Sequence, residues 1–305
     1  MASMRDIKRR KESIQSTQQI TKAMKLVSTV KLQRARVRAE GAKPYFNKMY
    51  ATVHSILDKS GNIDHPYLRA NGSDQKAVIV VTSNRGLAGG YNNNVVKLLA
   101  ENGLSSENVQ VYGVGKKGVD TLAHRGYRIV ADESDIINEP LFSDAIIMGK
   151  TVLDAYEAGE IGEIYLAYTN FKNTVVQEPR LLKLLPIETE DETEEEDGKA
   201  GQNQAANSGQ DGHDSGSGKS APMNYEPEAE EALNLLIPKY LNSIIFGAFI
   251  EAVASENGAR MQAMDAATSN AEDMISALSL AYNRARQGAI TQELTEIISG
   301  AEALN

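Results

Sequence analysis

The sequence predicts an α/β chain of an unusual kind: a long antiparallel two-helix coiled coil from its N- and C-terminal segments, with a small α/β domain inserted between them. Three observations predict it. The first 57 residues read as one helix, interrupted only by Gly41 and Pro44. The middle, 76–186, alternates β-rich runs with helical ones. A second long helical run, 227–303, closes the chain, with an adjustment at Pro238.

Taken in order, the N-terminal helix (3–57) shows Ile20, Ala23, Val27, Val30 and Val37 at spacings of three and four, with one polar gap at Arg34. That is a heptad-like seam. Its other faces carry Lys22, Lys25, Lys31, Arg34, Arg36 and Arg38. Up to residue 50 there are thirteen Lys and Arg against Asp6, Glu12 and Glu40, so this end is strongly basic although the whole chain carries a net charge of −9. A basic face of that strength needs an acidic partner surface. Pro44 removes one backbone bond, so some irregularity is expected there.

In the middle, AVIVVTSN (77–84) is a continuous apolar strand, and RGLAGGYNNN leads into a helix over 95–102. VQVYGV is the second strand, YRIVA the third, EIYLAYTNF (163–171) the fourth, and TVVQEPRLLKLLP (174–186) returns as the fifth. Strands alternating with helices imply a parallel sheet with helices on its faces, a Rossmann-like unit. Gly113, Gly115 and Gly118 spell G-x-G-x-x-G after the second strand, with Asp132 at the end of the third. That is the spacing of a dinucleotide fingerprint, in which glycines shape the turn and an acid meets the ribose. Glycine-rich strand-to-helix turns are common in any α/β unit, and here they also read as close packing alone.

Residues 188–222 form an acidic, then Gly/Ser/Asn/Gln-rich insertion, with eight acidic residues in 188–197. So little apolar surface cannot offset the entropy of ordering, and the insertion is expected to be disordered. In the last helix, Ile237, Leu241, Ile244 and Ala248 mark an apolar face that Ala263, Ala267, Ala271, Met274, Leu278, Ala281 and Ala285 continue with mostly small residues. Beyond Pro238 it reaches on the order of 95 Å. Its natural partner is the N-terminal helix, and antiparallel pairing brings both termini to one distal tip.

Composition narrows the functions. With no Cys, disulfides and thiolate sites are excluded, and His54, His65, His124 and His213 are too scattered for a histidine metal cluster. No secretory signal follows the basic start, and no segment of ~20 apolar residues is evident for a bilayer span. RGLAGGYN lacks the Lys-Ser/Thr ending of a P-loop, and no catalytic triad or paired-carboxylate arrangement is visible. Neither an enzymatic role nor a cofactor is expected. Two rival functions are a dinucleotide-binding α/β enzyme, which leaves both long helices unexplained, and a basic coiled-coil nucleic-acid-binding protein. The second lacks a reading module, and its basic residues run around the helix.

The motifs carry a family resemblance. RDIKRRKESIQSTQQITKAMKLVSTVKLQRA (5–35) resembles the opening helix of the gamma subunits of F-type ATP synthases. SNRGLAGGYN (83–92) is similar to that family's loop after the first central strand, and SENGARMQAMDAATSNA (255–271) and YNRARQGAITQELTEIISGAEAL (282–304) to its terminal helix. The insertion 188–222 departs from the family pattern.

The resemblance implies a rotor shaft inside a ring of alpha and beta subunits, with the α/β domain meeting the epsilon subunit and the membrane c-ring. The implied location is the cytoplasmic face of a bacterial cell membrane, peripherally, with no direct membrane insertion and no nucleic acid. It also implies rotor-coupling contacts: Met24 near the beta subunits' acidic loops, Arg286 and Gln287 in a polar catch with the beta ring, and Thr291 and Glu293 in the same coupling region.

Overall fold

The structure is a computed structural model that describes residues 4–60, 65–69, 71–187 and 229–302. The insertion expected over 188–222 lies outside the described residues.

Two helices dominate. The N-terminal helix α1 spans Met4–Ser60 and the C-terminal helix, α5, spans Ala229–Glu302, 57 and 74 residues respectively. Both continue through an internal proline, Pro44 in α1 and Pro238 in α5. A mid-helix proline forfeits a backbone bond, but here burial on its far side holds each helix together. Val53 and Ile56 beyond Pro44, and Ile237 and Leu241 around Pro238, all belong to the main core.

The two helices run antiparallel. Thr21 meets Thr268, Lys25 meets Asp265, and Gln18 meets Glu272. This register places the start of α1 opposite residues near Ala285, so α5 overhangs its partner by roughly 25 Å. The distal tip is therefore a single helix rather than a pair.

The seam differs from the expected one. On α1 the inward residues are Ile14, Gln18, Thr21, Lys25, Ser28, Leu32 and Ala35, at spacings of four and three. Ile20, Val27, Val30 and Val37 face outward instead, each 54–64 % exposed. On α5 the inward residues include Met264, Thr268, Ala271, Ile275, Leu278, Tyr282 and Ala285, while Met274 and Ala281 are exposed. Small and hydroxylated side chains let the backbones approach, so the middle of the seam takes Thr21, Ser28, Ala35, Thr268 and Ala271, and the Ile20–Val37 stripe faces outward.

Between the helices sits the sheet: β1 (Lys76–Val81), β2 (Val109–Val114), β3 (Arg128–Asp132), β4 (Glu163–Phe171) and β5 (Gln177–Leu185), in the order β3-β2-β1-β4-β5. The sheet is mixed rather than wholly parallel. β1 is parallel to β2 and β4, and β2 to β3, but β5 is antiparallel to β4. A short loop joins β4 to β5, too short for the crossover that parallel pairing needs.

Alternate residues of β1 enter two cores. Ala77, Ile79 and Val81 face α4 (Phe142–Glu157) and the first part of α5. Val78 and Val80 face the side carrying Val95 and Leu99 of α2 (Tyr91–Glu101) and Leu122 of α3 (Lys116–His124). The stretch of α5 that packs on the sheet is long and apolar enough to cross a bilayer, yet over half of it is buried within the chain. It is a core helix, apolar because sheet, α4 and α1 cover it.

Candidate functional site: a shaft and the loop that grips it

The loop after β1 joins domain to shaft. Tyr91, at the start of α2, is buried, and its hydroxyl donates to the Ala252 carbonyl of α5 at 3.1 Å. Arg260 of α5 reaches back, donating to the carbonyls of Arg85 and Gly86 at 3.2 and 3.3 Å. It also pairs with Glu256 at 2.7 Å, both side chains being only 11–12 % exposed. Burial pushes the Glu256 carboxyl up, and the Arg260 guanidinium offsets part of that. Leu87 and Gly89 adopt positive φ (63° and 58°), turning the chain sharply enough to seat Tyr91. Two motifs separated by some 170 residues, SNRGLAGGYN and SENGARMQA, are thus one junction.

Beside this junction lies a groove of about 620 Å³ between α1 and the loops at the C-terminal edge of the sheet. Its charged lining is Lys31, Arg34, Arg38, Arg85 and Arg260 against Glu139 and Glu256. Both carboxylates already face an arginine, Glu139 with Arg38 at 3.1 Å and Glu256 with Arg260. The surplus is positive. Met24 and Val27 line the same groove.

The five residues expected to couple are not gathered in one place. Met24 is half-buried on the groove side of α1. Arg286, Gln287, Thr291 and Glu293 are exposed on the α5 overhang, on the order of 30 Å further along the axis. With them the overhang exposes Ile290, Leu294, Ile297 and Ile298, an apolar stripe at helical spacing.

The glycine-rich turn after β2 is filled from within. Thr82 donates through Oγ1 to the Gly115 carbonyl and accepts from the Gly118 N–H, each at 2.9 Å. The Lys116 N–H donates to Asn84 Oδ1 at 2.9 Å and the Lys117 N–H to the Ser83 carbonyl at 3.0 Å. The first donors of α3, which a dinucleotide fold reserves for the pyrophosphate, are therefore taken by the chain's own β1 loop. Asp132, the expected ribose ligand, accepts from the backbone and hydroxyl of Ser134. Among the described residues no group of three or more His, Asp or Glu could hold a metal ion. His65 is buried, its Nδ1 accepting from the Tyr67 N–H and its Nε2 meeting Asn234 Oδ1 at 3.0 Å. It ties the exit of α1 to α5.

The junction was missed by sequence reasoning. Its only signal was a charge pair four residues apart, Glu256 and Arg260, within an otherwise small and apolar stretch of helix.

The protein family described as ATP synthase matches residues 3–304. A curated ATP synthase gamma chain from Lachnoclostridium phytofermentans is 62 % identical over 305 residues, the whole of both chains. A sodium-ion-specific ATP synthase gamma chain from Acetobacterium woodii is 41 % identical over 99 % of each. Among solved structures, a chain of the Euglena gracilis mitochondrial ATP synthase, in its OSCP/F1/c-ring assembly, aligns with a TM-score of 0.65, 99 % of this chain and 94 % of that one. At 20 % identity that likeness is one of fold. With matches over essentially its full length, the chain belongs to the gamma-chain family of the ATP synthases.

Proposed function

We propose that this chain is the central rotor shaft of a proton-translocating F-type ATP synthase, a non-catalytic subunit that carries rotation of a membrane c-ring to the beta-subunit catalytic sites. Run in reverse, it carries ATP-driven rotation to proton pumping. The observation that carries the reading is the α1/α5 pair, gripped by the α/β domain at one end and ending in a bare helix at the other. A stiff rod with a broad foot suits torque transfer, and the relatives' name supplies the machine.

In this reading alpha and beta subunits surround the shaft, and the epsilon subunit and c-ring meet the α/β domain. The chain is then a peripheral membrane protein on the cytoplasmic face of the bacterial membrane. The basic groove suits acidic loops of the beta subunits, with Met24 at its wall. Arg286, Gln287, Thr291 and Glu293, on the bare helix, form the upper set of contacts. Rotation biases the catalytic sites only if each orientation contacts the three beta subunits differently. An outward face that is apolar on one stripe and cationic on another meets that condition.

The test mixes the purified chain with alpha and beta subunits. A stable complex that hydrolyses ATP, formed only when the chain is present, supports the reading. A chain that co-elutes with neither subunit under conditions where alpha and beta are native would overturn it.

A further inference from the structure

A second cavity, of about 340 Å³, opens where the domain meets the shaft, on a different face of α5 from Arg260. Its walls come from three places: Gly89 and Gly90 at the start of α2, Thr169 and Gln177 on β4 and β5, and Gln262 and Ala263 on α5. No charged side chain is among the described residues that line it. The walls stand close, since a Cβ on Gly89 would come within 4.0 Å of the Ala263 Cβ.

Two features point to a ligand. The first is the end of α2, an 11-residue helix whose N-cap, Gly90, supplies no side-chain hydrogen bond. The Tyr91 N–H donates to the Ala88 carbonyl at 3.2 Å and the Asn94 N–H to the Gly90 carbonyl at 2.9 Å. Between them the Asn92 and Asn93 N–H groups leave the positive end of the helix dipole uncapped. The second is Thr169, 3 % exposed on the cavity wall, whose Oγ1 has no hydrogen-bond partner. Two residues on from Ala167, it points to the α2 side of the sheet. The neighbouring Tyr91 hydroxyl donates to the Ala252 carbonyl instead. A buried hydroxyl left unpaired lowers stability, so Thr169 calls for a partner that the chain itself does not supply.

We propose that this cavity binds a small, proton-bearing oxyanion of the phosphate class. Backbone N–H groups at a helix N-terminus, with a hydroxyl across from them, are donors for anionic oxygens. Gln177 and Gln262 add the reverse polarity. Both donate through Nε2 to the Thr174 carbonyl, at 3.0 and 2.7 Å, so what each offers the cavity is an amide oxygen. An amide oxygen accepts from a P–O–H group and repels an oxyanion that lacks one. With no lysine or arginine in the described wall, a polyphosphate finds no counter-charge. Occupied, the cavity ties α2 and β4 to α5 through a single ion. The inference is independent of the rotor reading, because no partner subunit enters it.

Amide NMR of the full-length chain, with isotope-labelled glycine, reads the site through Gly89 and Gly90. Inorganic phosphate at neutral pH should shift both resonances saturably. Sodium sulfate at equal ionic strength should shift them less, and sodium chloride not at all. Thr169→Val, which removes the hydroxyl and nearly keeps the shape, should weaken the phosphate response roughly tenfold or more, the loss of one hydrogen bond to a charged group. The same substitution should leave the urea midpoint of the phosphate-free chain unchanged or raised, whereas a hydroxyl already paired within the chain would lower it. Thr169→Ser should keep the response. Ala263→Leu, which fills the cavity from α5, should abolish it, and carries the test if circular dichroism shows that Thr169→Val fails to fold. The proposal is overturned by the absence of a saturable phosphate response in the parent chain, an equal response to chloride, or an undiminished response or lowered urea midpoint in folded Thr169→Val. An equal response to sulfate overturns the assignment to a proton-bearing ion.

Discussion

Replacing Gly115 by alanine tests what the glycine-rich turn is for. A Cβ at that position stands 2.1 Å from the Thr82 carbonyl oxygen and 2.8 Å from its Oγ1. The nearer contact is backbone immediately after β1, tied to β2 by the Thr82 N–H bond to the Val114 carbonyl at 2.7 Å, so it cannot rotate aside. Gly115 also holds φ at +106°, a conformation that costs an L side chain on the order of 1–3 kcal/mol. Relieving the overlap parts α3 from β1 and breaks the two Thr82 hydroxyl bonds, about 1 kcal/mol each. The expected loss is roughly 3–5 kcal/mol, a large share of the 5–15 kcal/mol typical of a folded protein. Urea denaturation followed by tyrosine fluorescence measures it, since the chain has twelve Tyr and no Trp. A companion calorimetric titration of the parent chain with NADH should show no saturable binding. The reasoning is refuted if the parent binds NADH at micromolar concentration and Gly115→Ala abolishes that binding with an unchanged urea midpoint.

Further expectations concern the domain foot, the junction and the shaft. Burial pushes the Glu163 carboxyl up, but bonds from Lys76 at 2.7 Å, Lys183 at 3.2 Å and Tyr165 outweigh it and hold the group below its ordinary value. Its contribution is therefore complete above the unfolded carboxylate value and disappears as pH falls from there through the lowered folded value. Glu163→Gln should cost about 1 kcal/mol at pH 7, discounted for partial exposure, and the difference from the parent should vanish in acid-denaturation profiles at their low end. Arg260→Met should cost roughly 3–5 kcal/mol, because it leaves Glu256 buried without its guanidinium, and limited proteolysis should then cut within 85–90. Tyr91→Phe, losing the bond to Ala252, should cost about 1 kcal/mol in the same melts. Met24→Lys adds a cation to an already positive groove, so it should preserve ATP hydrolysis but impair coupled proton pumping in membrane vesicles. A proportional fall in both rates would remove Met24 from the coupling set.

The strands were legible where the sheet is covered on both faces. AVIVV and VQVYGV read as continuous apolar runs because Val78 and Val80 face one core while Ala77, Ile79 and Val81 face the other. The start of α2 was placed four residues late, at Val95 rather than Tyr91, since three consecutive asparagines look like loop. What holds them in a helix is the burial of Tyr91 and the bond from Ser83 to Asn92, both tertiary. Locally the fingerprint glycines fit a dinucleotide turn as well as close packing, because the side chain that fills the turn, Thr82, lies more than thirty residues away in sequence. No local pattern marks an oxygen that will occupy a helix N-terminus from the loop after another strand.

The misplaced seam has a different cause, and it bears on what the shaft is for. Ranking faces by hydrophobicity selects Ile20, Val27, Val30 and Val37 as the inward stripe. That ranking assumes the chain's own core claims the most apolar surface. Here α5 claims Thr21, Ser28 and Ala35 instead, small side chains that let the two helices approach closely. A narrow shaft and an outward apolar stripe are then two consequences of one choice. Contiguous exposed apolar surface on a folded chain marks contact with another protein, and this stripe adjoins the basic groove that holds Met24. The face best placed to meet a surrounding ring is the one that hydrophobicity alone would have buried.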